Sequence, residues 1–241
     1  MATGIARRLK RLRAEAAREW RARLRAERHA ASGRRPVWHG VALFALTTAT
    51  LGALPFVALV RGSLHLHQHR DWPASVALVA GAAATAAIVA LYGIWLVRRV
   101  TGRLHVRAVV RWIAVPVVAF YAGFALVYVS SANLKHERLR AYYATLHPLL
   151  RVALATVILA DGDLVLTDLE RRPEDYAAMG LAVNPATLHS RQPDGWVHAV
   201  DLRTADRSAV RNRLVQWYFA GMGFATQRHV GTADHLHVAI R

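Results

Sequence analysis

PASVALVAGAAATAAIVALYGIWLV, Pro73 to Val97, is a run of 25 residues without a single charge. About 20 helical residues cross the hydrocarbon core of a bilayer, so this run is long enough to span one. Two more apolar runs flank it. Val37 to Val60 reads VWHGVALFALTTATLGALPFVALV, and Ala108 to Asn133 reads AVVRWIAVPVVAFYAGFALVYVSSAN, with Arg111 as its only charge. Trp38, Trp72, Trp95 and Trp112 stand near the ends of the runs, where amphipathic rings favour the membrane–water interface. Pro55 and Pro116 would break a helix in water but are tolerated in a membrane helix. The expectation is three transmembrane helices over residues 36–133.

Composition agrees. The chain has 241 residues, 32 Lys and Arg against 15 Asp and Glu, a net charge of +17 and no cysteine. Disulfide scaffolds, cysteine zinc fingers and thiol nucleophiles are excluded. Basic charge alone suggests nucleic acid, but the basic arm lacks the aromatic and base-reading groups such binding uses, so no nucleic-acid partner is expected.

Charge also sets an orientation. Residues 1–35 hold 12 Lys and Arg against three Glu, and Arg98 to Arg107 holds four Arg and no acid. Arg61 to Asp71 holds two Arg and one Asp. Positive segments stay in the cytoplasm, which places the N-terminus and second loop inside and everything after the third span outside. The first run is too long for a signal-peptide core and reads as an uncleaved anchor. In the arm, Ile5, Leu9, Leu12, Ala16, Trp20 and Leu24 recur at helical spacing, giving a basic amphipathic helix over residues 1–35. It serves either as a helix lying on anionic membrane lipids or as a solvated topology signal. The histidines of LHLHQH, His65, His67 and His69, read mainly as an exposed polar loop, with metal capture as the alternative. Ala80 to Ala87 offers small residues for close helix packing.

Residues 134–241 differ in kind. Thirteen Lys and Arg balance 11 Asp and Glu from Asn133 onward, and turn residues recur. The pattern predicts a small α+β domain. A helix over Glu137 to Leu159 bends near His147-Pro148, and a strand over Leu164 to Leu169 follows the Asp161-Gly162 turn. A short helix runs from Pro173 to Met179, a strand from Trp196 to Leu202 and a helix from Ala205 to Met222, with Val210, Leu214, Trp217, Tyr218 and Met222 on one face. Thr226 to Val230 and His235 to Ile240 are further strands. Trp196, Trp217, Tyr218 and Phe224 are assigned to the core.

Metal-type side chains gather in two places. LHSRQPDGWVHAVDL carries His189, Asp194, His198 and Asp201, and TADHLHVAI carries Asp234, His235 and His237. On a strand His235 and His237 share a face, whereas His198 and Asp201, three apart, do not. Two histidines and one carboxylate satisfy a catalytic zinc, which keeps its fourth position for water.

These segments resemble the D-alanyl-D-alanine metallopeptidase superfamily, zinc carboxypeptidases and endopeptidases of bacterial peptidoglycan. The resemblance covers roughly Leu149 to Ile240. It rests on His189, the run Gly195 to Asp201, the terminal Asp234-His235-Leu236-His237, and the segment Leu164 to Pro173. It implies that His189, Asp201 and His237 bind Zn2+, that Asp234 is the general base, and that His235 stabilises the oxyanion. Arg171 would hold a carboxylate of the peptidoglycan peptide, with Arg172 as the substitute. Eleven residues separate His189 from Asp201, more than the family places there, and Asp234 stands where the family usually has Glu.

The expected fold is therefore a three-helix membrane region joined to a small extracytoplasmic α+β metallopeptidase-like domain at the bacterial inner membrane. The expected function is zinc-dependent cleavage of peptidoglycan peptides, the helices offering a surface for other envelope proteins. A non-catalytic wall-binding or scaffold module is the alternative. A transporter has little support, because Arg111 is almost the only charge in the spans.

Overall fold

The computed structural model describes residues 18–25, 37–178, 180, 182–184, 186–231 and 234–240. The rest of the expected N-terminal helix, and Met179, lie outside the described residues. Residues 1–52 and 53–241 form two separate compact units. In the first, residues 18–25 are helical. Helix α1, Val37–Val57, begins in that unit, and there the hydroxyls of Thr47 and Thr50 bond the carbonyls of Leu43 and Leu46, so neither is left unsatisfied in an apolar setting.

The apolar runs fold as expected. The helical stretches Gly40–Arg70, Ala74–Thr101 and Val106–Val127 are each long and apolar enough to cross a membrane. After α1 comes a π-turn, Ala58–Gly62, then α2, Ser63–Arg70. Helix α3 is Ala74–Thr101. The third stretch is α4, Val106–Val109, a π-turn, Val110–Ala114, and α5, Val115–Val127. Pro116 has no amide for the Trp112 carbonyl, and the widened turn falls at that carbonyl. Large apolar side chains such as Leu91, Trp95 and Phe120 face outward. The expected close packing of α3 is present. A Cβ on Gly81 would lie 2.0 Å from Ser63 Oγ, and Thr85 Oγ1 bonds Pro55 O at 3.1 Å.

The segment Arg61 to Asp71 corrects the loop expectation, because it stays helical to Arg70. Asp71 ends the helix in the left-handed region at φ 53°, and His67 Nδ1 donates to Trp72 O at 2.8 Å. LHLHQH therefore lies on a helix, with the rings of His65 and His69 4.7 Å apart on one side.

Beyond the spans the chain builds α6, Leu139–Tyr143, α7, Pro148–Ala160, β1, Leu166–Asp168, α8, Pro173–Ala178, β2, Ala199–Arg203, α9, Ala209–Met222, β3, Ala225–His229, and β4, His235–Ala239. The strands pair antiparallel in the order β1-β2-β4-β3. Leu166, Val200, Leu202, Leu236 and Val238 are fully or almost fully buried and share one core with α7 and Phe219 of α9. That core continues into Leu59, Leu64, Leu78 and Ala125 at the ends of the spans. Burying it is the main stabilising force.

Three expectations shift. The second strand starts at Ala199 rather than Trp196, because Val197 is paired instead with the backbone of Thr145 and His147. Helix α9 starts at Ala209, capped by the Ser208 hydroxyl, because Asp206 adopts φ 62° and holds the preceding residues in a turn. Its buried residues are Asn212, Val215 and Phe219, whereas Val210, Leu214 and Trp217 are exposed. Of the apolar row read from the sequence, Tyr218 and Met222 pack against the core, whereas Val210, Leu214 and Trp217 do not. Trp196 is half-buried beneath the Arg151 guanidinium, 5.3 Å from the ring centre.

Candidate metal centre

Strand register builds the site. Asp201 on β2 stands opposite His237 on β4, and Arg203 stands opposite His235. Side chains two apart share a face, so Asp201, His235 and His237 rise from the same side of the sheet while Leu202, Leu236 and Val238 enter the core. On the other flank a register shift in β1 sets Asp168 opposite Asp201. His189 comes from the irregular segment between α8 and β2. The backbone bonds Arg171 N to His189 O and His198 N to Leu188 O fasten that segment beside β2.

His189 Nδ1 lies 2.7 Å from Leu169 O. A carbonyl can only accept, so Nδ1 carries the proton and the lone pair sits on Nε2. That lone pair faces the other two groups. His189 Nε2 is 3.3 Å from His237 Nδ1 and 3.3 Å from Asp201 Oδ1, and His237 Nδ1 is 2.8 Å from Asp201 Oδ1. A tetrahedral zinc with bonds of roughly 2.0–2.1 Å sets its ligand atoms about 3.3 Å apart. The three atoms are near that spacing with no rearrangement of the backbone. His189 and Asp201 are buried, and His237 opens to solvent on one side. The donor set, two imidazoles and a carboxylate, could hold a metal ion and leaves a fourth position.

Charge around the site is arranged tightly. Burial raises the Asp201 pKa, but hydrogen bonds from His189, once its Nε2 is also protonated, and from His237, with the charges of His189 and His235, overcome it and press it well below the carboxylate range. Burial disfavours charge on His189, yet the hydrogen bond and charge of Asp201, helped by Asp168, raise its pKa. Arg171 lies across Asp168, at 2.5 Å from Oδ2, and Asp201, at 3.3 Å from Oδ2.

The other expected residues fall as follows. His235 Nε2 is 3.7 Å from Asp201 Oδ2, beside the triad, with its ring stacked on His229 at 4.7 Å. The Asp234 carboxylate is gripped by Arg228, at 3.0 and 3.2 Å from Nη2, and by the Thr204 hydroxyl at 2.6 Å. Hydrogen bonds from Arg228 and Thr204 lower its pKa. Arg171 borders a cavity of about 280 Å³ that Lys135, His136 and Arg138 also line. Arg172 lies over the Tyr142 ring and pairs with Glu170. A smaller cavity, about 190 Å³, lies against His237 between Leu188, Ala225 and Ala239.

His198, the other histidine of that segment, is separate from this triad. It groups with His147 and Asp194 in a second cluster of metal-type ligands, whose ligand atoms lie within 4.8 Å of one another. Sequence reading placed Asp194 and His198 in one ligand-rich segment and His147 at a helix bend, so it did not bring the three together. Their chain separation gives no spacing signal, since His147 caps α7 and the other two lie in and after a loop.

No family model matches the chain, and searches among curated proteins and solved structures return no significant match.

Proposed function

We propose that the protein is a membrane-anchored zinc peptidase that hydrolyses peptide bonds of bacterial peptidoglycan, of the D,D-carboxypeptidase or endopeptidase type. Its α/β domain lies outside the inner membrane, with the basic arm and the Arg98–Arg107 turn in the cytoplasm. The observation that carries the reading is the convergence of His189, Asp201 and His237, with the His189 lone pair fixed toward the other two. Supporting it are the ordered motifs that contain these residues and the apolar helices that precede them.

Zinc in such a site supplies a Lewis acid and brings the pKa of water to around 7. The chain supplies the rest. Asp234, kept ionised by Arg228 and Thr204 on the Leu236 side of the sheet, is the candidate base, and it would have to turn toward the triad to take the proton of the attacking water and return it to the leaving amine. His235, 3.7 Å from Asp201 beside the triad, would stabilise the developing oxyanion. Arg171 keeps N–H groups beyond those spent on Asp168 and Asp201 and is the candidate to hold a peptide carboxylate, in a cavity where Lys135 and Arg138 stand beside Asp168, Glu170 and Asp175. The small cavity beside His237, walled by Ala225 and Ala239, suits a side chain as small as alanine.

A non-catalytic module that binds wall peptides is the second reading. The Arg228–Asp234 fork favours it, because a carboxylate held in two hydrogen bonds to a guanidinium is a weak base. One experiment separates the readings. Full-length protein in detergent is incubated with purified peptidoglycan, with zinc and after chelation, and the soluble peptides are weighed by mass spectrometry. A peptidase releases new fragments only with zinc and loses that activity in His237→Ala. Unchanged peptidoglycan from folded, zinc-loaded protein that still pellets with it rejects the peptidase and supports the module.

A further inference from the structure

The second histidine cluster sits where α2, the extension of the first membrane-spanning stretch, meets the α/β domain. His147 is fully buried, and its Nε2 has no hydrogen-bond partner. A buried imidazole nitrogen left without a partner is costly and calls for one. His198 Nε2 lies 2.8 Å from Asp194 Oδ2, and the rings of His147 and His198 are 5.1 Å apart. The ligand atoms of His147, Asp194 and His198 all fall within 4.8 Å of one another.

A third imidazole lies beside the group on the membrane side. The His67 ring centre is 5.0 Å from that of His147. His67 Nδ1 donates to Trp72 O, which puts its lone pair on Nε2. A backbone carbonyl thus fixes the tautomer, as at His189. Metal-binding histidines characteristically carry such a partner.

We propose that His147, Asp194 and His198, closed by His67, bind a second divalent transition metal of the zinc class. Four protein ligands leave no open position, which is the pattern of a structural site rather than a catalytic one. Its effect is to tie α2 to the domain. Ligation through His147 Nε2 moves the ring proton to Nδ1 and gives up the 3.3 Å contact that Nδ1 accepts from the Leu149 amide. That contact is longer than the 2.8 Å bonds that His67 and His198 make.

The test uses the full chain in detergent, stripped by a chelator and titrated with Co2+ alone, bound metal being counted by its visible absorption. Wild type is expected to take two equivalents. His237→Ala and Asp194→Asn should each take one, and the double variant none. His67→Ala should weaken the second equivalent at least tenfold without changing the first. Binding of a single equivalent that His237→Ala abolishes would overturn the second site while leaving the first intact. Equal stoichiometry in wild type and Asp194→Asn would overturn it also, and unchanged affinity in His67→Ala would remove that residue from the ligand set. His147 is left unaltered, because it caps α7.

Discussion

His189 gives its Nδ1 proton to the carbonyl oxygen of Leu169 at 2.7 Å, and this bond orients the whole candidate centre. Leu169 directly follows β1, so the edge of the sheet itself positions the ring. The ring's other nitrogen is thereby held toward Asp201 and His237 before any ion arrives. Preorganisation of that kind lowers the cost of binding, because no side chain has to be ordered afterwards.

The first prediction concerns that centre. Outer partners of metal ligands alone are worth about 10–100-fold in affinity. Loss of a ligand should exceed this, so His189→Ala and His237→Ala are expected to bind zinc more than about 100-fold more weakly. The measurement is competition with a chromophoric chelator in an Asp194→Asn background, where only this centre is titrated. Affinity within a factor of three of the parent would show that the two imidazoles are not ligands.

The second concerns the Asp234 carboxylate. Arg228→Ala removes the fork that depresses its pKa, which should then rise toward the ordinary 3.8. If Asp234 is the base, the acid limb of kcat/KM moves to higher pH, while Arg228→Lys moves it less. Asp234→Ala should lower kcat by about 10²-fold or more with little change in KM. Superimposable pH profiles for wild type and Arg228→Ala would remove Asp234 from the proton path.

Much of this arrangement was legible in the sequence. Long apolar runs, with Arg111 as their single charge, pointed to three helices able to span a bilayer, since length and apolarity decide there. Two-residue periodicity put His235 and His237 on one face, and the three-residue step separated His198 from Asp201. Local pattern failed where tertiary partners decide. Val210, Leu214 and Trp217 have the spacing of a buried stripe, yet Val215 and Phe219 take the core, helped by Asn212 bonding the Thr204 carbonyl. LHLHQH resembles a loop because its histidines are polar, but the helix entering it continues through a π-turn. No periodicity could bring His67 next to His147, which lies 80 residues further along the chain in a different element.

The third prediction is a pH dependence of stability. Burial works against the charge on Glu170, but hydrogen bonds from Thr145 and Arg191 and the charges of Arg191 and Arg172 outweigh it and hold its pKa below the ordinary 4.5. A carboxylate depressed by folding stabilises the native state above its unfolded pKa and loses that contribution as pH falls through the folded value. Glu170→Gln should therefore lower Tm between pH 5 and 7, with the difference from wild type shrinking below about pH 4.5. A difference that stays constant from pH 3 to 7 would assign the loss to packing and not to charge.

The last prediction tests whether the spans and the domain are one folded body in residues 53–241. A Cβ on Gly81 meets Ser63 Oγ at 2.0 Å, Leu59 O at 3.0 Å and Ser63 Cβ at 3.2 Å. The hydroxyl can rotate away, but the Leu59 carbonyl belongs to the helix backbone and must shift. Overpacking of this kind costs about 1–3 kcal/mol, so Gly81→Val should unfold at lower denaturant in mixed micelles. Gly123→Ala in α5, where nothing lies within 4 Å of the new Cβ, is the control and should be neutral. Leu59 and Leu64 belong to the same core as Leu150 and Phe219, so the strain at Gly81 has a path into the domain. Near-ultraviolet circular dichroism and zinc release should then report a transition at the same lowered midpoint. If zinc release in Gly81→Val keeps the wild-type midpoint while helix unfolding does not, the domain holds itself together without the spans.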